Sequence, residues 1–228
     1  MSYYSIVGDA IAFWDFQQTF GNAIDVVGNT DLAPAGNVQF GLPGPTSWFP
    51  RACGVGYWNA QNAGFVQNPA TLLVGLVPYT VAGWVKWSGI ALSSSFASYG
   101  PAGRPNCLIN AAGVVQVIND AVNLGSSSLV MVPNVWSFLS WRRDNGGTVR
   151  RLGRDSVFES GVTQPLAFTS GQIGMGFIGA EDVVAGFGVW DRYLSDGEVL
   201  ALLSGPFVGP DFRKVRRGSS AVKAAGRP

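Results

Sequence analysis

The stretch that most constrains the fold is residues 186–203, GFGVWDRYLSDGEVLALL, in which a strand runs into one short, fully punctuated helix. Ser195 stands three residues before Glu198. That spacing forms a capping box, in which hydroxyl and carboxylate satisfy the unpaired N–H groups of a helix start. Val199, Leu200, Leu202 and Leu203 then give the helix an apolar face, and Gly205 with Pro206 supplies its stop. Upstream, Phe187, Val189 and Trp190 favour extended backbone. The unit predicts a last core strand that hands over to a covering helix.

The rest of the chain is poor in helical periodicity. Strand-like runs bounded by Gly, Pro and Asn recur at residues 3–7, 10–16, 71–76, 79–87, 90–99, 135–142, 148–152 and 183–190, among others. No helical period long enough for a crossover helix separates them, so a parallel α/β sheet is excluded and two stacked antiparallel sheets are expected. The 31 glycines and 13 prolines suit the many turns this needs, and residues 40–50 read as a long surface loop. With 228 residues the chain matches one large β-domain.

Five blocks resemble, in order, the concanavalin A-like jelly rolls, in particular the laminin-G and pentraxin-like branch. They are AFWDF at residues 12–16, DVVGN at 25–29, YTVAGWVK at 79–86, the pair WSF at 136–138 and RDNGGTVR at 143–150, and VWDRYLSDGEV at 189–199. The resemblance implies an all-β jelly-roll sandwich over residues 1–205 with one short C-terminal helix. It also implies a candidate Ca²⁺ site at one rim of the sandwich. By resemblance the ligands are Asp25 and Asn29 of the DVVGN turn, joined by Asp31, Glu181 or Asp182, because a hard cation needs several oxygens in one loop cluster. The competing reading is a turn in which Asp25 and Asn29 bond local backbone.

Several chemistries are excluded. The chain has no histidine, which removes Ser-His-Asp and Cys-His nucleophiles and every His-based metal site. Glucanases of this superfamily carry paired carboxylates on one strand, E-x-D-x-x-E, and that pattern does not occur. Glu181 and Asp182 are neighbours, so on a strand they point to opposite faces. The letters GMGFIG at 174–179 match a dinucleotide fingerprint, but a strand-like run follows them instead of a helix. Cys53 and Cys107 lack metal-ligand spacing and are expected as buried free thiols. No catalytic role is expected.

Binding is a different matter. Trp48 and Trp58 lie in loop-rich surroundings, where they suit either stacking on sugar rings or anchoring a loop. Arg142, Arg143, Arg150, Arg151 and Arg154 flank a DNGG turn signal and are expected on a solvated or subunit-contacting face. Asp144, Asp155 and Glu159 close by argue against nucleic acid. Beyond Gly205 the composition changes. Residues 206–228 hold Arg213, Lys214, Arg216, Arg217, Lys223 and Arg227 against one acid, Asp211, a net +5, which leaves −4 on residues 1–205 within a whole-chain charge of +1. Such a segment reads as an extended basic arm that docks on a partner. The N-terminal residues lack the basic and apolar regions of an export signal. Together these features lead to the expectation of a non-catalytic virion protein, a phage capsid decoration or tail appendage, with a free carbohydrate-binding lectin as the alternative.

Overall fold

A computed structural model of the protein describes residues 2–28, 30–36, 38–58, 61–70, 78–89, 94–99, 105–119, 122–145, 149–162, 171–175 and 181–205. In chain order the elements begin with α1 (Tyr3–Gly8), β1 (Ala12–Trp14), β2 (Ala33–Ala35), β3 (Gln39–Pro43), β4 (Arg51–Trp58) and β5 (Gln61–Ala70). They continue with β6 (Tyr79–Lys86), β7 (Ser94–Tyr99), β8 (Pro105–Ile109), β9 (Val114–Asn119), β10 (Val122–Val130) and β11 (Trp136–Arg143). The last are β12 (Val149–Arg154), β13 (Val157–Val162), β14 (Gly171–Met175), β15 (Glu181–Trp190) and α2 (Asp196–Ser204). The protein is an all-β antiparallel sandwich of the jelly-roll kind closed by a short C-terminal helix, as the sequence leads one to expect.

The strands hydrogen-bond in the order β10-β9-β8-β7-β14-β5-β4-β15-β6-β11-β12-β13. The β4–β5 pairing, Gly56↔Ala63 to Trp58↔Gln61, joins the two layers, so they form one strip folded over on itself. β15 lies at the centre of the first layer. β6 pairs along one of its edges, and β1 and β4 share the other end to end.

Two apolar layers follow from strand alternation. Towards the second sheet point Val81, Val85, Leu139, Trp141, Leu152, Val184 and Val189, which meet Cys107, Ile109, Val115, Val117 and Leu129. Away from it point Ala82, Trp84, Phe138, Ala185 and Trp190, covered by Ile6, Val7, Phe49, Val199 and Leu202. β6 is therefore buried on both faces and reads as a nearly unbroken apolar run. Each fully buried large side chain contributes about 1.5–3 kcal/mol. Trp14, Trp141 and Trp190 are the largest of them.

Two local expectations are corrected. Residues 3–7 form a helix, not a strand. Ser2 caps it through Ser5 N–H, and Trp190 Nε1 donates to Ile6 O at 2.7 Å, so tertiary contacts outweigh the β-forming composition. Residues 40–50 are not all loop: they supply most of β3 and place Phe49 in the outer layer. There the Phe49 ring lies against Gly186, whose φ of +48° marks the bulge between Ala185 and Phe187. The candidate strand at residues 71–76 lies outside the described residues.

Candidate binding surfaces

Asp25 is buried and its carboxylate is aimed at its own loop. Oδ1 accepts from the N–H groups of Phe13, Val27 and Gly28 at 2.9–3.0 Å, and Oδ2 accepts from Thr30 N–H at 3.0 Å. Asp31 in turn accepts from Asp25 N–H at 2.9 Å. A Cβ at Gly28 would stand 2.5 Å from Asp25 Oδ2 and 2.7 Å from Ile11 O, which accounts for glycine in the turn. The geometry is that of a carboxylate stapling β1 to the loop behind it.

The other rim candidates lie elsewhere. Asp182 is buried, accepts from Ser88 N–H at 3.0 Å, and pairs with Val55 near the start of β15. Asp25 instead bridges to Trp14, the partner of Phe187 farther along the same strand. That separation corresponds to about 16 Å of strand, so Asp25 and Asp182 do not converge on one cation. Glu181 begins β15, with its backbone opposite Gly56 of β4. Asn29 lies outside the described residues, as do Arg213, Lys214, Arg216, Arg217, Lys223 and Arg227. Among the described residues no three Asp, Glu, Cys or His side chains cluster as metal ligands.

Trp48 is 38% exposed, and its indole lies over Gly205 at the end of α2. A Cβ on Gly205 would come within 2.2 Å of the ring, and its φ is +71°. Trp48 therefore latches the helix C-terminus while showing one edge to solvent. Trp58 ends β4 opposite Gln61.

The hairpin arginines are the main revision of the sequence reading. Arg142, Arg143 and Arg150 are buried, not solvated. Register explains it: Arg142 pairs with Arg151 and Arg143 with Arg150, so one pair faces α2 and the other faces the second sheet. Arg142 Nη1 donates to Leu194 O and to Asp196 Oδ1, both at 2.8 Å, and its guanidinium lies over the rings of Phe158 and Tyr193. Arg151 grips the same carboxylate through Nε at 2.7 Å and through Nη2, and reaches Ser160 Oγ at 2.6 Å. Burial lowers the Arg142 and Arg150 pKa values, whereas Asp196 raises that of Arg151. The Arg151 guanidinium, with Arg142 behind it, holds the Asp196 carboxyl below its ordinary range. The signal in the sequence was Asp196 in the first turn of the helix, which also favours the helix dipole.

The capping box is formed as expected: Glu198 N–H donates to Ser195 Oγ at 3.2 Å and Ser195 N–H to Glu198 Oε2 at 2.8 Å. Burial pushes the Glu198 carboxyl up, but Ser195 and Arg192, the latter at 2.7 Å, bring it below its ordinary value. Thr80 fixes the approach to the helix by donating to Arg192 O and accepting from Leu194 N–H.

Where the two sheets end, β10 and β13 face one another. Glu159 of β13 accepts from Ser128 N–H at 2.8 Å and from the Ser128 hydroxyl, and Arg154 donates to Val130 O. The Ser128 hydroxyl lowers the Glu159 pKa. These side chains occupy backbone groups of β10 and bind the two sheets together along this side.

No protein-family model matches the sequence, and no curated protein does. Solved structures resemble it in fold. A receptor binding domain superposes with a TM-score of 0.67 at 13% identity, over 89% of this chain and 52% of that one. The binding domain of botulinum neurotoxin DC in complex with rat synaptotagmin II gives 0.66 at 12% identity, over 87% and 52%. Trypanosoma rangeli sialidase in complex with the inhibitor DANA gives 0.62 at 13% identity, over 84% and 32%. The chain spans about half the length of the binding domains it matches. What it shares with all three is the β-sandwich fold.

Proposed function

We propose that this chain is a non-catalytic binding component of a virus particle of phage type: a lectin-like jelly roll that contacts host-surface glycans, with residues 206–228 as a basic arm that docks on neighbouring virion subunits. The observation that carries the non-catalytic part is that five of the 14 acidic side chains are already taken up by the fold. Asp25 and Asp182 hold backbone N–H groups, Asp196 holds two arginines, Glu198 caps α2, and Glu159 binds Ser128. Glycoside hydrolysis instead requires two carboxyl groups about 5 to 9.5 Å apart, flanking the scissile bond.

The binding part is supported by the fold, which the chain shares with domains whose stated task is receptor binding. Fold likeness alone does not fix a ligand, so the glycan assignment rests on that support together with the half-exposed Trp48 ring. The arm assignment rests on charge: +5 on residues 206–228 against −4 on the rest gives long-range attraction to acidic neighbouring subunits.

Two measurements test the proposal. Mass spectrometry of purified particles should find the chain as a stoichiometric component, and its absence from particles would overturn the virion assignment. A glycan array should show binding that persists in chelator. Binding lost in chelator would favour a Ca²⁺-dependent lectin instead, and no binding to any glycan would remove the lectin role.

A further inference from the structure

Gly197 is a glycine that the fold does not require. It is the second residue of α2, and a Cβ there would meet nothing nearer than Ser195 Oγ at 4.0 Å. Its φ is not positive, so the backbone asks for no glycine either. Glycine in a helix is less stable than alanine, and neither packing nor conformation offsets that loss at this position. Gly188 on β15 and Gly205 at the end of α2 differ, since a Cβ on either would run into an indole ring.

What Gly197 does alter is the chemistry of the residue before it. Asp196–Gly197 is the only Asp-Gly pair in the chain. In such a pair no side chain shields the glycine amide nitrogen, which can close on the aspartate Cγ. The N–Cγ bond forms while a C–O bond of the carboxylic acid breaks, and the amide proton and the hydroxyl leave as water. A water that reopens the succinimide at its main-chain carbonyl then gives isoaspartate. The backbone now runs through the former side-chain carbonyl and is one methylene longer. One water leaves and one enters, so no other reactant is needed.

The folded protein opposes ring closure. Arg151 grips the Asp196 carboxylate through Nε at 2.7 Å and through Nη2, while Arg142 Nη1 holds Oδ1 at 2.8 Å. These bonds fix the carboxylate on the β11–β12 hairpin and keep it ionised, and an ionised carboxylate is a poor electrophile. Water is not what is lacking: the Asp196 side chain is 38% exposed, and Gly197 is exposed as well. The arginines are the restraint.

We propose that Asp196–Gly197 is a site of spontaneous aspartate isomerisation in this protein, kept closed by Arg151 and Arg142. Once residue 196 is isoaspartate, the added methylene separates Ser195 from Glu198 and the capping box no longer closes. The proposal depends on neither the glycan reading nor the basic arm.

The full chain, incubated at a mildly acidic pH at which it stays folded, is assayed with an isoaspartyl methyltransferase and mapped by mass spectrometry of its peptides. The parent should gain isoaspartate at residue 196 slowly. Arg151→Met, with an unchanged circular dichroism spectrum, should gain it about tenfold faster, a factor that corresponds to about 1.4 kcal/mol of restraint. Arg151→Lys, which returns one positive charge to the carboxylate, should fall between the two. Gly197→Ala should fold, unfold at no lower urea concentration than the parent, and form less isoaspartate at 196 than the parent does. A folded Arg151→Met chain that isomerises at the parent rate would overturn the proposal. So would isoaspartate at Asp155 in place of Asp196, or a Gly197→Ala chain less stable than the parent. If Arg151→Met does not fold, Arg151→Lys decides in its place, and a parent-like rate in that variant removes the clamp.

Discussion

Arg151 and Asp196 tie β12 to the first turn of α2, and behind them the fully buried Arg142 shares the same carboxylate. Asp196→Asn removes the counter-charge of a guanidinium that has no access to water. The expected cost is about 1–3 kcal/mol, at the lower end because Asp196 itself is partly exposed. Urea titration should show the midpoint falling with the m-value unchanged.

The same carboxylates set an acid limit. Asp196 and Glu198 have folded-state pKa values below their ordinary 3.8 and 4.5. Each therefore contributes stability that is fully present above its ordinary value and is lost as pH falls through the lower folded one. Tm should hold from neutrality down to about pH 5 and drop below about pH 4. The gap between the parent and Asp196→Asn should narrow over that same interval.

Asp25→Ala leaves four backbone N–H groups in and around the 25–30 turn without their acceptor. A loss of about 2–4 kcal/mol is expected, since each buried orphan costs free energy and loop relaxation recovers part of it. Calcium should not shift the parent's Tm if the carboxylate serves the turn. A millimolar-calcium stabilisation lost in Asp25→Ala would restore the ligand reading.

Cys53 and Cys107 are buried free thiols, and burial pushes both pKa values up to about 12. Thiolate is the reactive form, so labelling at pH 8 should be slow in the folded protein and should follow unfolding. Rapid labelling of either under native conditions would contradict the packing described.

Much of this architecture was legible because sequence and burial agree. β6, β11 and β15 are runs of aromatic and β-branched residues, and the Ser195–Glu198 spacing gave the helix start to the residue. β5, QNAGFVQNPA, and the first part of β10, VNLGSSS, gave little signal. Rich in Gly, Asn, Gln and Ser, they are extended because neighbouring strands pair with them, which no local pattern records. The arginine pairs were misread because charge ordinarily marks a surface. For Arg142 two aromatic rings and an acid on the next element compensate burial, and that combination appears only once β13 and α2 are folded over the hairpin.

The folded strip has one further consequence. Its two layers are continuous through the β4–β5 backbone on one side, and on the other they are fastened by side chains of Glu159 and Arg154. The sandwich thus has a spine and a clasp. Backbone amides of β10 and β13 should exchange with deuterium ahead of those in β15 and β6, because opening the clasp breaks a few side-chain bonds whereas parting the spine breaks the ladder.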